Sequence, residues 1–403
     1  MVPNPPTKHK RIFGLERNIF FIGLTSFLTD TTTKMIYAVM PLFLMSLGAT
    51  KTELSLIEGI AESTASVLKA LSGWWSDKIR KNKPFMLVGY LFTAILSPLF
   101  AFAASPFQVL GIRFAERVGK GIRTAPRDSL IAASTEEGER GKGFGFHKAM
   151  DNSGAILGPL LAAGVLLLYP GDYRKVFIFA GIPAAFGVVS ILAFVKERRQ
   201  TEAHKLGKIQ LRDFSGRYYA FLGIVFLFTL GNSTDALLLV KAGDLGVRAQ
   251  WIPMLYLVFN SVSVLFSVPA GMLSDRIGRE RLIIAGYLLY AGIYFGFGQV
   301  VKLPSVVLLF ALYGLYSALT DGTQKALVSD LVRRDVRGTG LGLYNSLVGI
   351  TLLPAGLIAG LLYDRVDNQA PFYFGAGMAL LAALLMIGFY VWFSPEKNRR
   401  NAV

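Results

Sequence analysis

Cysteine is absent from the sequence and histidine occurs only three times. The chain therefore has no disulfide framework, no thiolate metal site and no cysteine nucleophile. Charge is scarce too. Only 17% of the 403 residues are Asp, Glu, Lys or Arg, against about 25% in an ordinary soluble domain. No phosphate-binding lysine loop and no His-Glu-x-x-His pair occurs, which excludes ATP hydrolysis and zinc-protease chemistry within the chain. What fills the space is apolar: 53% of residues are hydrophobic and mean hydropathy is +0.48. Repeated apolar stretches of roughly 20 residues are each long enough to cross a ~30 Å hydrocarbon core. The composition excludes a soluble enzyme, a disordered chain and a secreted disulfide scaffold. The basic, polar first seventeen residues read as no cleaved signal peptide.

Hydrophobic runs between charge clusters predict twelve spans. They cover 18–46, 53–76, 84–104, 106–128, 142–168 and 173–195 in the first half, and 217–240, 250–274, 282–301, 304–328, 339–362 and 371–393 in the second. The polar stretch 196–217 is the expected linker between an N-terminal bundle, 1–195, and a C-terminal bundle, 218–403. With the N-terminus inside, cytoplasmic segments hold 26 Lys and Arg and the opposite side 7. This bias predicts cytoplasmic termini in a plasma (inner) membrane. The net charge of +16 is dispersed over these loops, where it meets anionic lipid; it forms no nucleic-acid face.

The halves repeat. Gly73-Trp-Trp-Ser-Asp77-Lys78-Ile-Arg80-Lys81 returns as Gly271-Met-Leu-Ser-Asp275-Arg276-Ile-Gly278-Arg279, and Arg140-Gly-Lys-Gly143-Phe-Gly145 returns as Arg337-Gly-Thr-Gly340-Leu-Gly342. Offsets of 198 and 197 residues point to two homologous six-span units with a cavity between them. The Gly-x-Gly-x-Gly runs lack a strand–turn–helix context, so they are no dinucleotide fingerprint.

The Gly-x-x-x-Asp-Lys/Arg motif between spans 2 and 3, repeated between spans 8 and 9, resembles the cytoplasmic loop signature of the major facilitator superfamily. Arg80 stands where the first copy would have its second glycine. In span 4, Arg113-Phe-Ala-Glu116-Arg117-Val-Gly119 resembles that superfamily's Arg-x-x-Gln-Gly-x-Gly pattern. In span 5, Gly154-Ala-Ile-Leu-Gly158-Pro159 is similar to the pattern of its proton-coupled exporters. The resemblance implies that Gly73, Asp77 and Lys78, with Gly271, Asp275 and Arg276, form a gate that latches the outward-facing state. Independently of it, a carboxylate at a helix end takes backbone donors at a neighbouring N-terminus and pairs with a base. Gly154, Gly158 and Pro159 give close helix packing and a local bend.

Charges inside membrane spans are costly and mark function or structural pairing. Span 1 has Asp30 and Lys34. Span 2 carries Glu58, Glu62 and Lys69 within about 40° of one another on a helix. Arg113, Arg117, Lys120 and Arg127 share one face of span 4, which also holds Glu116, Arg123 and Asp128; span 5 brings His147, Lys148 and Asp151. The second half is quieter, with Asp235, Asp321 and Lys325. Two readings stand side by side: a salt-bridge network joining helices 1, 2, 4 and 5, and a polar cavity wall. Candidate substrate or proton-coupling residues are Asp30, Glu58, Glu62, Arg113, Glu116, Arg117, His147, Asp151, Asp235 and Asp321. Arg113 and Arg117 would attract an anionic or zwitterionic group; Glu62, Asp30 or Asp151 would exchange the proton. Arg123, Arg127 and Asp128 are assigned to gating contacts or the water interface.

The expectation is an all-α polytopic membrane protein of twelve helices in two pseudo-symmetric six-helix bundles. It is a monomer without cofactor or metal, bound by lipid, moving a small polar or charged solute by proton-coupled alternating access. Export, as an efflux antiporter, is favoured over uptake of an organic anion or zwitterion; a transport-silent sensor or scaffold is the alternative of another class.

Overall fold

The computed structural model describes residues 11–79, 81–135, 140–198, 214–232, 234–300, 302–333 and 336–392, without the side chains of 70, 73, 74, 76–78, 140 and 141. The first copy of the gate motif, Gly73, Asp77 and Lys78, therefore lies outside the described side chains, as does most of the linker.

Six helices build the first half: α1 (Arg17–Ser46), α2 (Lys51–Ile79), α3 (Lys83–Leu99), α4 (Pro106–Ala133), α5 (Arg140–Leu168) and α6 (Tyr173–Phe194). Seven build the second: α7 (Gly216–Gly231), α8 (Asp235–Asp244), α9 (Ile252–Ile277), α10 (Arg279–Gln299), α11 (Leu303–Leu331), α12 (Arg337–Arg365) and α13 (Ala370–Trp392). Among the described residues, nine units, α7 and α8 counted as one, are by length and composition apolar enough to cross a membrane. The other three are α1, α2 and α4, whose polar runs and charges lower their hydropathy without shortening them. Together they make the twelve expected crossings. A two-residue hairpin, Arg11–Ile12 with Leu15–Glu16, precedes α1; Phe13 and Gly14 turn it with positive φ at both positions.

The seventh span departs from expectation. A single helix over 217–240 is replaced by α7, with Asn232 at its C-cap, and α8, with Thr234 at its N-cap. The sequence Gly231-Asn-Ser-Thr-Asp235 is a helix stop followed by a helix start. Thr234 caps α8, its Oγ1 accepting from the Ala236 amide at 3.3 Å. The break brings Asn232, Thr234 and Asp235 to the boundary between the halves, where irregular backbone at membrane depth is tolerated.

Helices in lipid gain nothing from mutual hydrophobic burial and instead rely on close packing and internal polar bonds. In the first half α1 packs on α5 and α6, and α2 on α4. Gly154 and Gly158 make the α1–α5 approach possible. A Cβ on Gly154 would sit 2.6 Å from the Phe27 carbonyl, and one on Gly158 would sit 2.6 Å from the Thr31 carbonyl and 2.7 Å from the Lys34 Cβ. The second half is held differently. Phe228 stacks on Tyr287 at 4.0 Å, Tyr290 on Tyr294 at 4.0 Å and Tyr313 on Tyr316 at 5.5 Å, a buried cluster from α7, α10 and α11. Such ring pairs are worth roughly 0.5–1.5 kcal/mol each beyond area burial.

The halves meet through α2 against α12, α5 against α9 and α1 against α8. On the face opposite the start of α1, Asp364 at the end of α12 accepts from the Thr52 amide at 2.7 Å and the Thr52 hydroxyl at 2.6 Å. Gly360 and Gly356 admit α2 closely, and Ser63 donates to the Gly349 carbonyl at 2.7 Å. These contacts seal that face.

Candidate functional site: a charged cavity between the halves

A cavity of about 580 Å³ lies between the two halves, beside the α2–α12 contacts that close the face opposite the start of α1. Its N-half wall draws Asp30, Thr33, Lys34 and Tyr37 from α1, and Glu58, Gly59 and Glu62 from α2. From α4 come Arg117, Lys120, Arg123, Thr124 and Arg127, and from α5 Lys148, Asp151 and Asn152. The α4 residues recur at three- and four-residue intervals, the spacing that keeps side chains on one helix face. The C-half wall is made by Asn232, Thr234 and Asp235 at the α7–α8 break, by Tyr256, Phe259, Asn260 and Ser263 of α9, and by Ser317 and Asp321 of α11.

Two layers of charge can be separated by depth. Arg113 is fully buried and forks onto Glu58, Nε to Oε1 at 3.1 Å and Nη2 to Oε2 at 2.9 Å. Its remaining Nη1 donates to Glu116 at 2.9 Å. Every face of that guanidinium is committed, and such bidentate pairing is what a buried charge requires. Neither Arg113 nor Glu116 is part of the cavity wall. One turn further along α4, Arg117 pairs with Glu62 at 2.9 Å, and Lys120 reaches the other Glu62 oxygen at 3.7 Å. This second layer lines the cavity. The salt-bridge network and the polar wall thus coexist and overlap: Glu58, Glu62 and Arg117 belong to both, Arg113 and Glu116 to the network alone.

Lys34 has no carboxylate within ion-pair distance among the described residues. Its Nζ instead donates to the Tyr256 hydroxyl across the half boundary at 2.8 Å, and lies 5.1 Å from the centre of that ring. Asp235 and Asp321 are likewise met by neutral hydroxyls, from Tyr313 at 2.8 Å and Ser317 at 2.8 Å. Asp30 and Asp151 both line the cavity where α1 packs on α5, with Arg127 and Lys148 on the same wall within electrostatic range of Asp151. Asp151 Oδ1 is buried without a hydrogen bond among the described residues; its nearest base is His147 Nε2 at 3.6 Å. That same ring nitrogen lies 2.7 Å from the Ser26 hydroxyl, which contacts the Tyr90 hydroxyl at 3.2 Å. His147 is buried behind the wall rather than on it.

Of the residues expected from sequence, Asp30, Glu58, Glu62, Arg117, Asp151, Asp235 and Asp321 come together around the cavity; Arg113, Glu116 and His147 stand behind it. Arg123 and Arg127, expected in gating contacts or at the water interface, line the wall. Arg123 is anchored on α3 by Thr93 at 2.5 Å and by the Tyr90 ring at 4.6 Å, and Arg127 is paired with its neighbour Asp128 at 2.9 Å. Sequence reasoning missed Lys34 as a site residue, along with Tyr37, Tyr256, Asn232 and Asn260. The Asp30–Lys34 spacing and the cap sequence before Asp235 were the available signals.

The second gate copy lies at the end of α9. Asp275 pairs with Arg279 at 3.5 Å, and Arg279 also reaches Asp330 at 2.5 Å. The link between α9 and α10 is Gly278 at φ 99°, which explains the second glycine of the motif. Gly271 has open space around it and Arg276 is exposed.

The sequence profile of the Major Facilitator Superfamily matches residues 22–240 and again 220–402, one match for each half. The chain is 36% identical over 380 residues to the uncharacterized MFS-type transporter MJ1317 of Methanocaldococcus jannaschii, covering 93% of this chain and 95% of that one. It is 23% identical over 397 residues, covering 94% and 96%, to the quinolone resistance protein NorA of Staphylococcus aureus. Among solved structures, a POT family transporter in complex with 5-aminolevulinic acid superimposes with a TM-score of 0.81 at 14% identity, covering 96% of this chain and 98% of that one. The nucleoside transporter NupG does so with 0.75 at 14%, covering 92% and 99%. Twelve crossings in two halves, a charged cavity between them and a profile matching each half in turn have one common account: the chain belongs to the Major Facilitator Superfamily, as a multi-pass membrane protein of secondary transport and not an enzyme.

Proposed function

We propose that the protein moves a small polar or charged solute across the plasma membrane by alternating access, driven by protons, with export as the working direction. The observation that carries the proton role is the Asp30–Asp151 pair. Two carboxylates share one wall of the cavity, with no Lys or Arg in an ion pair to either among the described residues. A carboxylate on the cavity wall without an ion-pair partner is the kind of group that can take up and release a proton during transport. Glu62 suits the role less well, because Arg117 and Lys120 already balance its charge. The Lys/Arg bias of the loops supports a cytoplasmic face for both termini. The likeness to a quinolone resistance protein and the Gly154–Pro159 pattern favour export. Nothing in the wall calls for a second subunit, and the monomer is the working unit.

The test uses purified protein in liposomes with an imposed proton gradient, following lumenal pH. One pool of small organic anions and zwitterions and one of lipophilic cations are added in turn. The expected result is a pH response to the first pool that Asp151→Asn abolishes. A response to the first pool that survives unchanged in Asp151→Asn refutes the proton assignment; a response to lipophilic cations alone refutes the polar-solute reading.

A further inference from the structure

The cavity wall is polarised between the two halves. On the N-half side, six cations stand against four carboxylates; on the C-half side, Asp235 and Asp321 stand with no Lys or Arg. The flanking charges do not erase the difference. Adding Arg113, Glu116 and Asp128 to the first wall and Lys325 to the second still leaves one net positive charge facing one net negative charge. Polarity alone would be uninformative if every charge were already paired. Lys34 on the positive side and Asp235 and Asp321 on the negative side are instead held by the hydroxyls of Tyr256, Tyr313 and Ser317. Lys34 lies within electrostatic range of Asp30 and Asp235, and Asp321 within range of Lys325 and Lys148, but none of the three is in an ion pair among the described residues, so each retains the capacity for a charge-assisted bond to a ligand.

We infer that the transported solute is a zwitterion, bound with its anionic group toward Lys34 on the N-half and its ammonium toward Asp235 and Asp321 on the C-half. This rests on the reading of the cavity as the transport site. The alternatives fare worse on the same wall. A pure anion leaves Asp235 and Asp321 facing it without compensation, and a lipophilic cation meets the cationic face of α4. A zwitterion also spans both halves at once. Its binding replaces the Lys34–Tyr256 contact across the boundary by two ion pairs of its own, which ties occupancy to the relation between the halves.

The test needs no gradient. Thermal unfolding of the purified full-length protein is followed with three pools of equal concentration. One contains free α-amino acids, ω-amino acids of graded length and dipeptides; one the same compounds N-acetylated; one the same compounds as carboxamides. Ligand binding to the folded state raises Tm, so the free zwitterions should raise it and neither blocked pool should do so comparably. Asp235→Asn, nearly isosteric, should remove the response while leaving the unliganded Tm close to wild type; Asp321→Asn gives a second, independent reading. Equal stabilisation by either blocked pool, or none by the zwitterions, overturns the inference. Stabilisation by zwitterions without proton-driven flux in liposomes would instead refute the transport coupling and leave the ligand class standing.

Discussion

Asp364 offers a direct way to perturb the balance between the two faces of the protein. Its carboxylate at the end of α12 takes the amide of Thr52 at 2.7 Å, the Thr52 hydroxyl at 2.6 Å and the Lys51 amide at 3.3 Å, the free donors at the N-terminus of α2. It acts as an N-cap supplied by the other half of the molecule. Opening this face has to break it. An N-cap is worth about 1 kcal/mol, and the carboxylate's interaction with the helix dipole adds roughly 0.3–1 kcal/mol at an exposed site. Asp364→Ala should therefore cost the sealed state about 1–2 kcal/mol, a shift of roughly 5- to 30-fold in the equilibrium between faces. Asn caps as well as Asp but lacks the charge, so Asp364→Asn should lose only the dipole contribution, about 2- to 5-fold. The chain has no cysteine of its own, so spin labels at Ser46→Cys and Val366→Cys report the separation of the halves on this face by electron–electron distance measurement. An unchanged distance distribution in Asp364→Ala, or a shift in Asp364→Asn as large as in Asp364→Ala, would refute the capping argument.

Two further outcomes follow from packing and pairing. Gly158→Ala places a methyl against the Thr31 carbonyl and the Lys34 Cβ, neither of which is a flexible chain end; it should destabilise by about 1–3 kcal/mol. Gly164→Ala on the same helix meets nothing within 4 Å and should leave Tm unchanged or raised, so equal effects at both positions would count against the close-packing account. Arg113→Gln strands Glu58 as a buried carboxylate and leaves Glu116 only Arg117 at 3.7 Å, and should cost about 3–5 kcal/mol. Replacing Arg113 and Glu58 together by methionine should recover a large part of that loss in thermal unfolding, and a double variant no better than the single would contradict the pairing.

The twelve crossings were legible because apolar length is a one-dimensional property, and even the charged spans α1, α2 and α4 betrayed themselves by what flanked their charges. The broken seventh span was not. Its apolar residues run on either side of Gly231-Asn-Ser-Thr-Asp235, and a hydropathy window averages across the caps that divide it. The site shows a second limit. Helical periodicity correctly put Arg113 and Arg117 on one face of α4, yet a face is not a neighbour. One turn of height decides that Arg113 is consumed by Glu58 and Glu116 while Arg117 and Glu62 border the cavity. Lys34 was visible as a charge but not as a site residue, because its partner Tyr256 comes from the other half, 222 residues away.

The location of Asp364 bears on the duplicated loop motif. Helices α2 and α12 run antiparallel, so on each face a C-terminus from one half and an N-terminus from the other lie on the same side. At the sealed face the carboxylate belongs to α12 and the N-terminus to α2. At the opposite face Asp77 belongs to the last turn of α2, and α12 begins at Arg337. The role proposed for Asp77, a carboxylate taking donors at a neighbouring helix start, is the reciprocal of what Asp364 does. Helix dipoles favour an anion at either N-terminus, but a pair that pivots closes one end by opening the other. Two similar contacts used in alternation would keep the two states close in energy, so that a modest ligand or proton free energy suffices to exchange them.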